Sequence, residues 1–247
     1  MGTVEARIFA SYGETSETFD STAGIDDSAA NALSAPSTGT RVHSWTYRRV
    51  KRAIDIAGAV LMILVTLPAA LLIAAAIVLT SKGPIFYRES RIGRGGRPFQ
   101  IWKFRSMSAD THLQSSLKVG FSGGTLLQWR IHKHSHDPRI TRVGKFLRRW
   151  SLDELPQLIN VLRGDMSLIG PRPVVAAEVP LYANLQHFYL AAAPGMSGLW
   201  QVSGRSNVSF ARRADLDAFY VLNWSLRADF IILVRTIPAV LGRVGAR

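Results

Sequence analysis

The stretch "RRWSLDELPQL" sets two carboxylates side by side, Asp153 and Glu154, just before Pro156. Proline is favoured at the first helical position, so the spacing predicts that both carboxylates sit at a helix N-terminus. The positive end of the helix dipole there favours their ionised forms. An ionised aspartate can attack phosphorus and form an acyl phosphate. A neighbouring glutamate can hold Mg²⁺, which binds substrate phosphates with only one or two protein carboxylates. A plainer reading competes with this one. Ser151 to Glu154 also fits the S-x-x-E capping box, in which both groups only terminate a helix. That register places Pro156 inside the helix, which counts against it.

Cations cluster at turns around this pair. They are Lys103 and Arg105 in "KFRSM", Arg139 in "DPR", Arg148, Arg172 in "GPRPV" and Arg205 in "SGRS". Arginine next to Gly or Pro in irregular backbone suits bidentate phosphate binding. Five such sites around two carboxylates point to a polyanionic substrate. Other chemistry is excluded or weak. The chain has no cysteine, which rules out disulfides, thiolate zinc sites and thiol nucleophiles. "HKHSH" (His132, His134, His136) lies in a polar stretch over 108–136 and reads as a solvated loop rather than a metal site. Gly93 to Gly96 lacks GK[ST] and a following helix, so it reads as a turn rather than a phosphate cradle.

Charge supports the same direction. The 247 residues carry 30 Lys plus Arg against 17 Asp plus Glu, net +13. Residues 1–40 hold six acidic residues and only Arg7 as a base, leaving +18 over 41–247. A body this basic implies an anionic partner: nucleic acid, acidic lipid or a phosphorylated substrate. No helix-turn-helix, aromatic RNA-binding motif or zinc spacing is present, and carboxylates oppose a nucleic-acid surface, so no nucleic acid is expected. A non-catalytic basic membrane-surface or nucleic-acid-binding protein is the main alternative, but it leaves Asp153 and Glu154 without a task. A membrane scaffold explains the apolar run alone.

The elements that must position these residues follow from patterning. Residues 1–45, rich in Ser, Thr, Ala, Gly and Asp, read as a disordered tail that is neither a signal peptide nor a myristoylation site. Residues 46–82 read as an apolar membrane segment, and 83–247 as the basic domain that carries the carboxylate pair. Alternation over "GPIFYRESRIGRGGRPFQIWKFRSM" predicts a β-hairpin with strands near 85–91 and 98–104. "DPRITRVGKFLRRW" reads as a turn and a short basic helix, followed by a helix near 155–163, a Gly-Asp turn and a Pro-rich loop. A further helix ends at Pro194-Gly195. Two more follow, the last from about Ser225, whose mixture of apolar residues and arginines suits either a membrane interface or packing on the core. The fold class is α+β, mostly helical.

No charge interrupts Ile56 to Ser81. As helix this run measures about 39 Å, longer than the roughly 30 Å hydrocarbon core. Pro68, near its centre, removes a backbone donor and kinks or breaks the helix, leaving halves of about 18 and 21 Å. Arg48, Arg49, Lys51 and Arg52 precede the run, and Lys82, Arg88, Arg91, Arg94 and Arg97 follow it. Positive residues favour the cytoplasmic side, so a helix-break-helix entering and leaving by one face satisfies both flanks. A kinked span satisfies one flank, and a buried core helix is the third reading.

Taken together, "KRAID", "KFRSM", "DPRITRVGKFLRRWSLDELPQLINVLRGDMSLIGPRPV", "PGMSGLWQVSGR" and "YVLNWSLRADFIIL" resemble the bacterial sugar transferases. These are monotopic polyprenyl-phosphate phosphoglycosyl transferases, and the likeness is to the short forms that begin exopolysaccharide repeat units. It covers roughly 47–243. It implies attack by Asp153 on the β-phosphate of a UDP-sugar, release of UMP, and transfer of the sugar-phosphate to polyprenyl phosphate, usually undecaprenyl phosphate. Glu154 matches the second acid, associated with Mg²⁺ and with assisting the acceptor; Asp153 and Glu154 are the implied metal residues. Lys103, Arg105, Arg148 and Arg172 match positions around the phosphates, and Gln201 and Arg205 the "QxxGR" segment. The hexose implied is galactose or glucose. The implied location is the cytosolic face of the bacterial cytoplasmic membrane, with membrane lipid as a partner and Pro68 at the break of a re-entrant helix. A homo-oligomer is compatible with the sequence. Three positions depart from the pattern: Leu67 where serine is common, with Thr66 one place earlier to bond a freed carbonyl; Ala193 in place of an arginine; and Ser206 in place of an asparagine.

Overall fold

A computed structural model of the chain describes residues 47–108, 137, 139–203 and 209–241. The reading of 1–45 as a disordered tail, the histidines of "HKHSH", Arg205 and the Ser206 departure lie outside these residues. A short π-helical turn, Tyr47–Lys51, leads into α1, Arg52–Thr80. A hairpin follows: β1, Phe86–Ile92, and β2, Pro98–Phe104, paired antiparallel. Then come α2 (Arg142–Arg149), a 3₁₀ turn (Leu152–Glu154), α3 (Gln157–Arg163) and β3 (Ser167–Ile169). A 3₁₀ stretch over Ala176–Leu185 runs into α4, Gln186–Ala191. The rest is β4 (Gly195–Ser197), α5 (Leu199–Val202), α6 (Phe210–Leu222) and α7 (Leu226–Leu241). The described residues are mostly helical, with two small two-stranded sheets, β1-β2 antiparallel and β3-β4 parallel.

The hairpin and the basic, 157–163 and C-terminal helices form within a residue or two of their expected limits. Local chemistry explains this. Gly95 and Gly96 take positive φ in the hairpin turn, a conformation that costs glycine little. Thr141 caps α2, its hydroxyl accepting from Gly144 N at 2.8 Å. One expected element differs. The helix expected to end at Pro194-Gly195 stops at Ala191, and its upstream part is 3₁₀ rather than α, with Pro180 inside it.

The apolar run is a second correction. Pro68 does not divide it into two elements: α1 is a single helix of 29 residues with the proline inside, about 44 Å long. The Thr66 hydroxyl does not reach the carbonyl that Pro68 leaves without a donor, that of Leu64. It donates to Met62 O at 2.6 Å. α1 is long and apolar enough to cross a membrane, and little of it is buried.

Both ends of α1 are nonetheless held by the rest of the protein. At the N-terminal end Lys51 pairs with Asp229 at 2.8 Å, and Arg52 donates to the carbonyls of Val161 and Leu162 at the end of α3. Asp55 accepts from Ser167 Oγ at 3.0 Å and Leu168 N at 3.1 Å. Ala59, Met62 and Ile63 join the main core with Leu158, Val161 and Trp200. At the C-terminal end Ala70, Ile73, Ala74 and Ile77 pack with Phe104 and Leu147. Leu64, Val65, Leu71 and Leu72, between the two, are exposed. The last helix packs one side on the core, as one of its two readings expects. Ala228 and Ile232 are buried, whereas Phe230, Leu233, Val234 and Ile237 are exposed along α7.

Candidate active site

Asp153 and Glu154 occupy the 3₁₀ turn, just ahead of α3, whose first flanking residue is Pro156. Ser151 is left-handed (φ 55°) and makes no side-chain cap, so the capping-box reading fails. Glu154 instead accepts from Lys103 Nζ on β2 at 2.7 Å. At Asp153 the helix-end preference for the ionised form is opposed. Burial, and then the neighbouring Glu154 charge, push the Asp153 carboxyl above its ordinary range, against the pull of Lys103 and Arg148.

Three contacts bring these segments together. Asn160, wholly buried on α3, accepts from Trp102 N at 3.0 Å and donates to Gln100 O at 2.7 Å. This ties the hairpin to the helix that follows the acids. Gly144 lets α2 approach: a Cβ there would sit 1.9 Å from Ser106 O, which no side chain permits. Arg148, one turn on, then donates from Nε to Ser106 Oγ at 2.9 Å and stays close enough to bear on Asp153. Hairpin register does the rest. Tyr87, Glu89 and Arg91 face the same way as Lys103, Ile101 and Phe99.

A cleft opens here, lined by Arg91, Lys103, Glu154, Gln157, Arg172 and Gln201, with Ile101, Pro173, Gly195 and Met196. Of the expected residues, the structure thus gathers Lys103, Glu154, Arg172 and Gln201 around one space, with Asp153 adjoining Glu154 and Arg148 near it. Arg172 is half-buried; burial, and then the charge of Arg213, hold its guanidinium below the usual range.

Two expected phosphate ligands are engaged elsewhere. Arg105 is buried and donates to Ser81 O, Ser81 Oγ and Lys82 O at 2.8, 2.8 and 2.9 Å. It clamps the C-terminal end of α1 rather than facing the cleft. Arg139 lies outside the cleft lining and forks onto Asp137, with Nη2 to Oδ2 at 2.6 Å and Nε to Oδ1 at 3.0 Å. Sequence reasoning missed Arg91 and Gln157. Arg91 was legible in principle, since strand alternation places it on the face of Lys103, two pairs along.

The bacterial sugar transferase family model matches residues 46–243, a range that includes every described part of this cleft. The chain belongs to the bacterial sugar transferase family. Exopolysaccharide production protein ExoY of Sinorhizobium fredii is 46% identical over 193 residues, 77% of this chain and 84% of that protein. The UDP-galactose-lipid carrier transferase of Erwinia amylovora is 47% identical over 200 residues, 81% of this chain and 42% of that longer protein. The UDP-glucose:undecaprenyl-phosphate glucose-1-phosphate transferase of Caulobacter vibrioides is 42% identical over 201 residues, 77% of this chain and 69% of that protein. As a sugar transferase the protein is an enzyme, and the readings as a non-catalytic basic binding protein or a membrane scaffold are set aside.

Proposed function

We propose that this sugar transferase moves a hexose-1-phosphate from a UDP-sugar to polyprenyl phosphate, with Asp153 as the nucleophile. An Asp153 carboxylate oxygen attacks the sugar-bearing phosphorus. The bond to the bridging oxygen breaks, and UMP leaves with that electron pair. An oxygen of polyprenyl phosphate then attacks the same phosphorus, the acyl-phosphate bond breaks, and Asp153 returns as the carboxylate. The observation that carries this reading is the division of labour between the adjacent acids. Lys103 already neutralises Glu154, while Asp153 is held partly desolvated beside a cation-lined cleft. A desolvated carboxylate is the more reactive of two.

The carboxylate pair also fits Mg²⁺. The two carboxylates are adjacent on one turn, Glu154 lining the cleft, and Mg²⁺ needs only one or two protein carboxylates. Asp153 and Glu154 would hold it. No group of three or more His, Cys, Asp or Glu side chains exists among the described residues, so the substrate's phosphates would complete the shell. When bound, the ion would offset charge on the diphosphate. Arg172 and Lys103 bind and orient phosphate oxygens in any case.

The membrane disposition we infer is re-entrant, on the cytosolic face of the bacterial cytoplasmic membrane. Supporting it, both ends of α1 are latched to one body, by Arg52 at one end and Arg105 at the other, while the middle is exposed and apolar. The relatives named for undecaprenyl phosphate and for UDP-sugars favour galactose or glucose.

The direct test is UMP release from a panel of UDP-sugars by purified protein with Mg²⁺ and undecaprenyl phosphate. Wild type should turn over at least one hexose donor, and a radiolabelled sugar-phosphate should remain covalently bound when the acceptor is left out. Full turnover by Asp153→Ala would overturn the nucleophile assignment.

A further inference from the structure

A second group of polar atoms adjoins Arg172, and the reaction above makes no use of it. Arg172 and Arg213 each hold their guanidinium carbon 5.3 Å from the centre of the Trp200 ring, so two cations share one indole. Arg213 also lies 4.7 Å from the Phe210 ring. Asp217, buried at 1% exposure, accepts from the Tyr182 hydroxyl at 2.8 Å and faces Arg213 and Arg172, and Glu178 bears on both arginines as well.

The donors are also unfilled. Arg213 Nε and Nη2 are buried without a hydrogen-bond partner among the described residues, and so are Trp200 Nε1 and Ser203 Oγ. Leaving a buried donor unsatisfied is costly, most of all for a charged group. Several in one place call for a ligand or ordered water that completes them. Two guanidinium groups on one indole form a cation-rich set, with Gln201 Oε1 the one unpartnered acceptor beside Trp200 among the described residues. The group that fits it is anionic and rich in acceptor oxygens, and a guanidinium fork matches phosphate bidentately.

We propose that Arg213, together with Arg172 and the indole N–H of Trp200, forms an anion subsite that takes a phosphoryl group and adjoins the Lys103–Glu154 pair through Arg172. Its existence rests on these atoms; only the identity of its ligand rests on the transferase reading. That reading supplies two sources of the same chemistry, a nucleoside diphosphate and a lipid monophosphate.

The test measures binding of inorganic phosphate, UMP and a short-chain alkyl phosphate to the detergent-solubilised full chain, by calorimetry and by thermal shift. Wild type is compared with Arg213→Lys, Arg213→Met and, as a surface control, Arg163→Gln. Lysine keeps the charge but loses the fork. We expect phosphate binding about tenfold weaker or worse in Arg213→Lys, absent in Arg213→Met, and unchanged in Arg163→Gln. Loss of UMP binding alone assigns the subsite to the nucleotide, and loss of alkyl-phosphate binding alone assigns it to the lipid. Should Arg213→Met fail to fold, Arg213→Lys decides. Wild-type affinity for all three ligands in Arg213→Lys, or no phosphate binding by wild type, overturns the subsite. UMP release by wild type is read separately: its absence would sink the transferase chemistry, while the binding comparison would still stand or fall on Arg213.

Discussion

Lys103 Nζ sits 2.7 Å from Glu154 Oε1, and that contact distinguishes two acids that are neighbours in sequence. Glu154 is held by a strand residue far earlier in the chain. Asp153 is left to the competition between burial, which raises its carboxyl, and the cations Lys103 and Arg148, which lower it. Lys103→Met removes the charge that keeps Glu154 neutralised and helps Asp153 ionise. We expect kcat for UMP release to fall by about 10²-fold, the scale of losing one positioned charge at a reacting centre, with the protein still folded by circular dichroism.

Protonation of Asp153 has a readable sign. Its folded carboxyl lies above the unfolded value, so the native state holds that proton more tightly. The stability this contributes is complete below the unfolded pKa of about 3.9 and is lost as pH rises through the folded one. Asp153→Asn cannot ionise. It should therefore melt at a higher temperature than wild type at pH 8, by about 2–4 °C for each kcal/mol gained. The gap should close in melts run near pH 4.

Asp217 obeys the same rule with a defined window. Its carboxyl is raised to about 7 by burial, against an unfolded value of about 3.9. The proton it keeps in the native state stabilises the fold fully below the lower value, and that contribution drains away as pH rises to the upper one. Wild-type stability should therefore decline between about pH 4 and pH 7 on account of this group, then level off. In Asp217→Asn the amide oxygen can still accept from Tyr182, and the variant should flatten that decline. An unchanged slope across the same window in paired melts would count against the buried carboxyl as its source.

Arg105, expected at the phosphates, is found on the carbonyls of Ser81 and Lys82. Arg105→Met should therefore cost stability, about 3 kcal/mol for hydrogen bonds from a charged donor. In the folded fraction KM for the UDP-sugar should stay within about twofold of wild type, the signature of a residue outside uniform substrate binding. A large rise in KM with unchanged stability would return Arg105 to the phosphates.

The disposition of α1 can be read with thiol reagents, because the chain has no cysteine of its own. Arg49→Cys and Lys82→Cys flank the helix at exposed positions. In spheroplasts and inverted vesicles, both should react with an impermeant maleimide from the cytosolic side. Labelling from opposite sides would mean a span.

Much of this is legible from residue order alone. The hairpin, the carboxylate turn and the cation set follow from alternation, Gly-Pro punctuation and spacing, which act over a few residues. What escapes detection depends on partners far along the chain. Arg105 and Arg172 look alike in sequence, each an arginine in a turn, yet one meets the end of a helix and the other the cleft. Asn160 gives no local signal either, since its role is to join two elements distant in sequence. Pro68 misleads for a different reason: a kink-prone residue inside an apolar run need not end the helix when both halves already have surfaces to pack on.

The latches on α1 have a consequence for synthesis. Arg105, Val161, Leu162, Ser167 and Asp229 all follow the helix in the chain. When Thr80 leaves the ribosome, none of them exists. At roughly 5–20 residues per second, the last latch, Asp229, emerges on the order of ten to thirty seconds later. For that interval the nascent helix has lipid and the insertion machinery as its only company, and its orientation is settled by their handling of its charged flanks before the folded body can hold it.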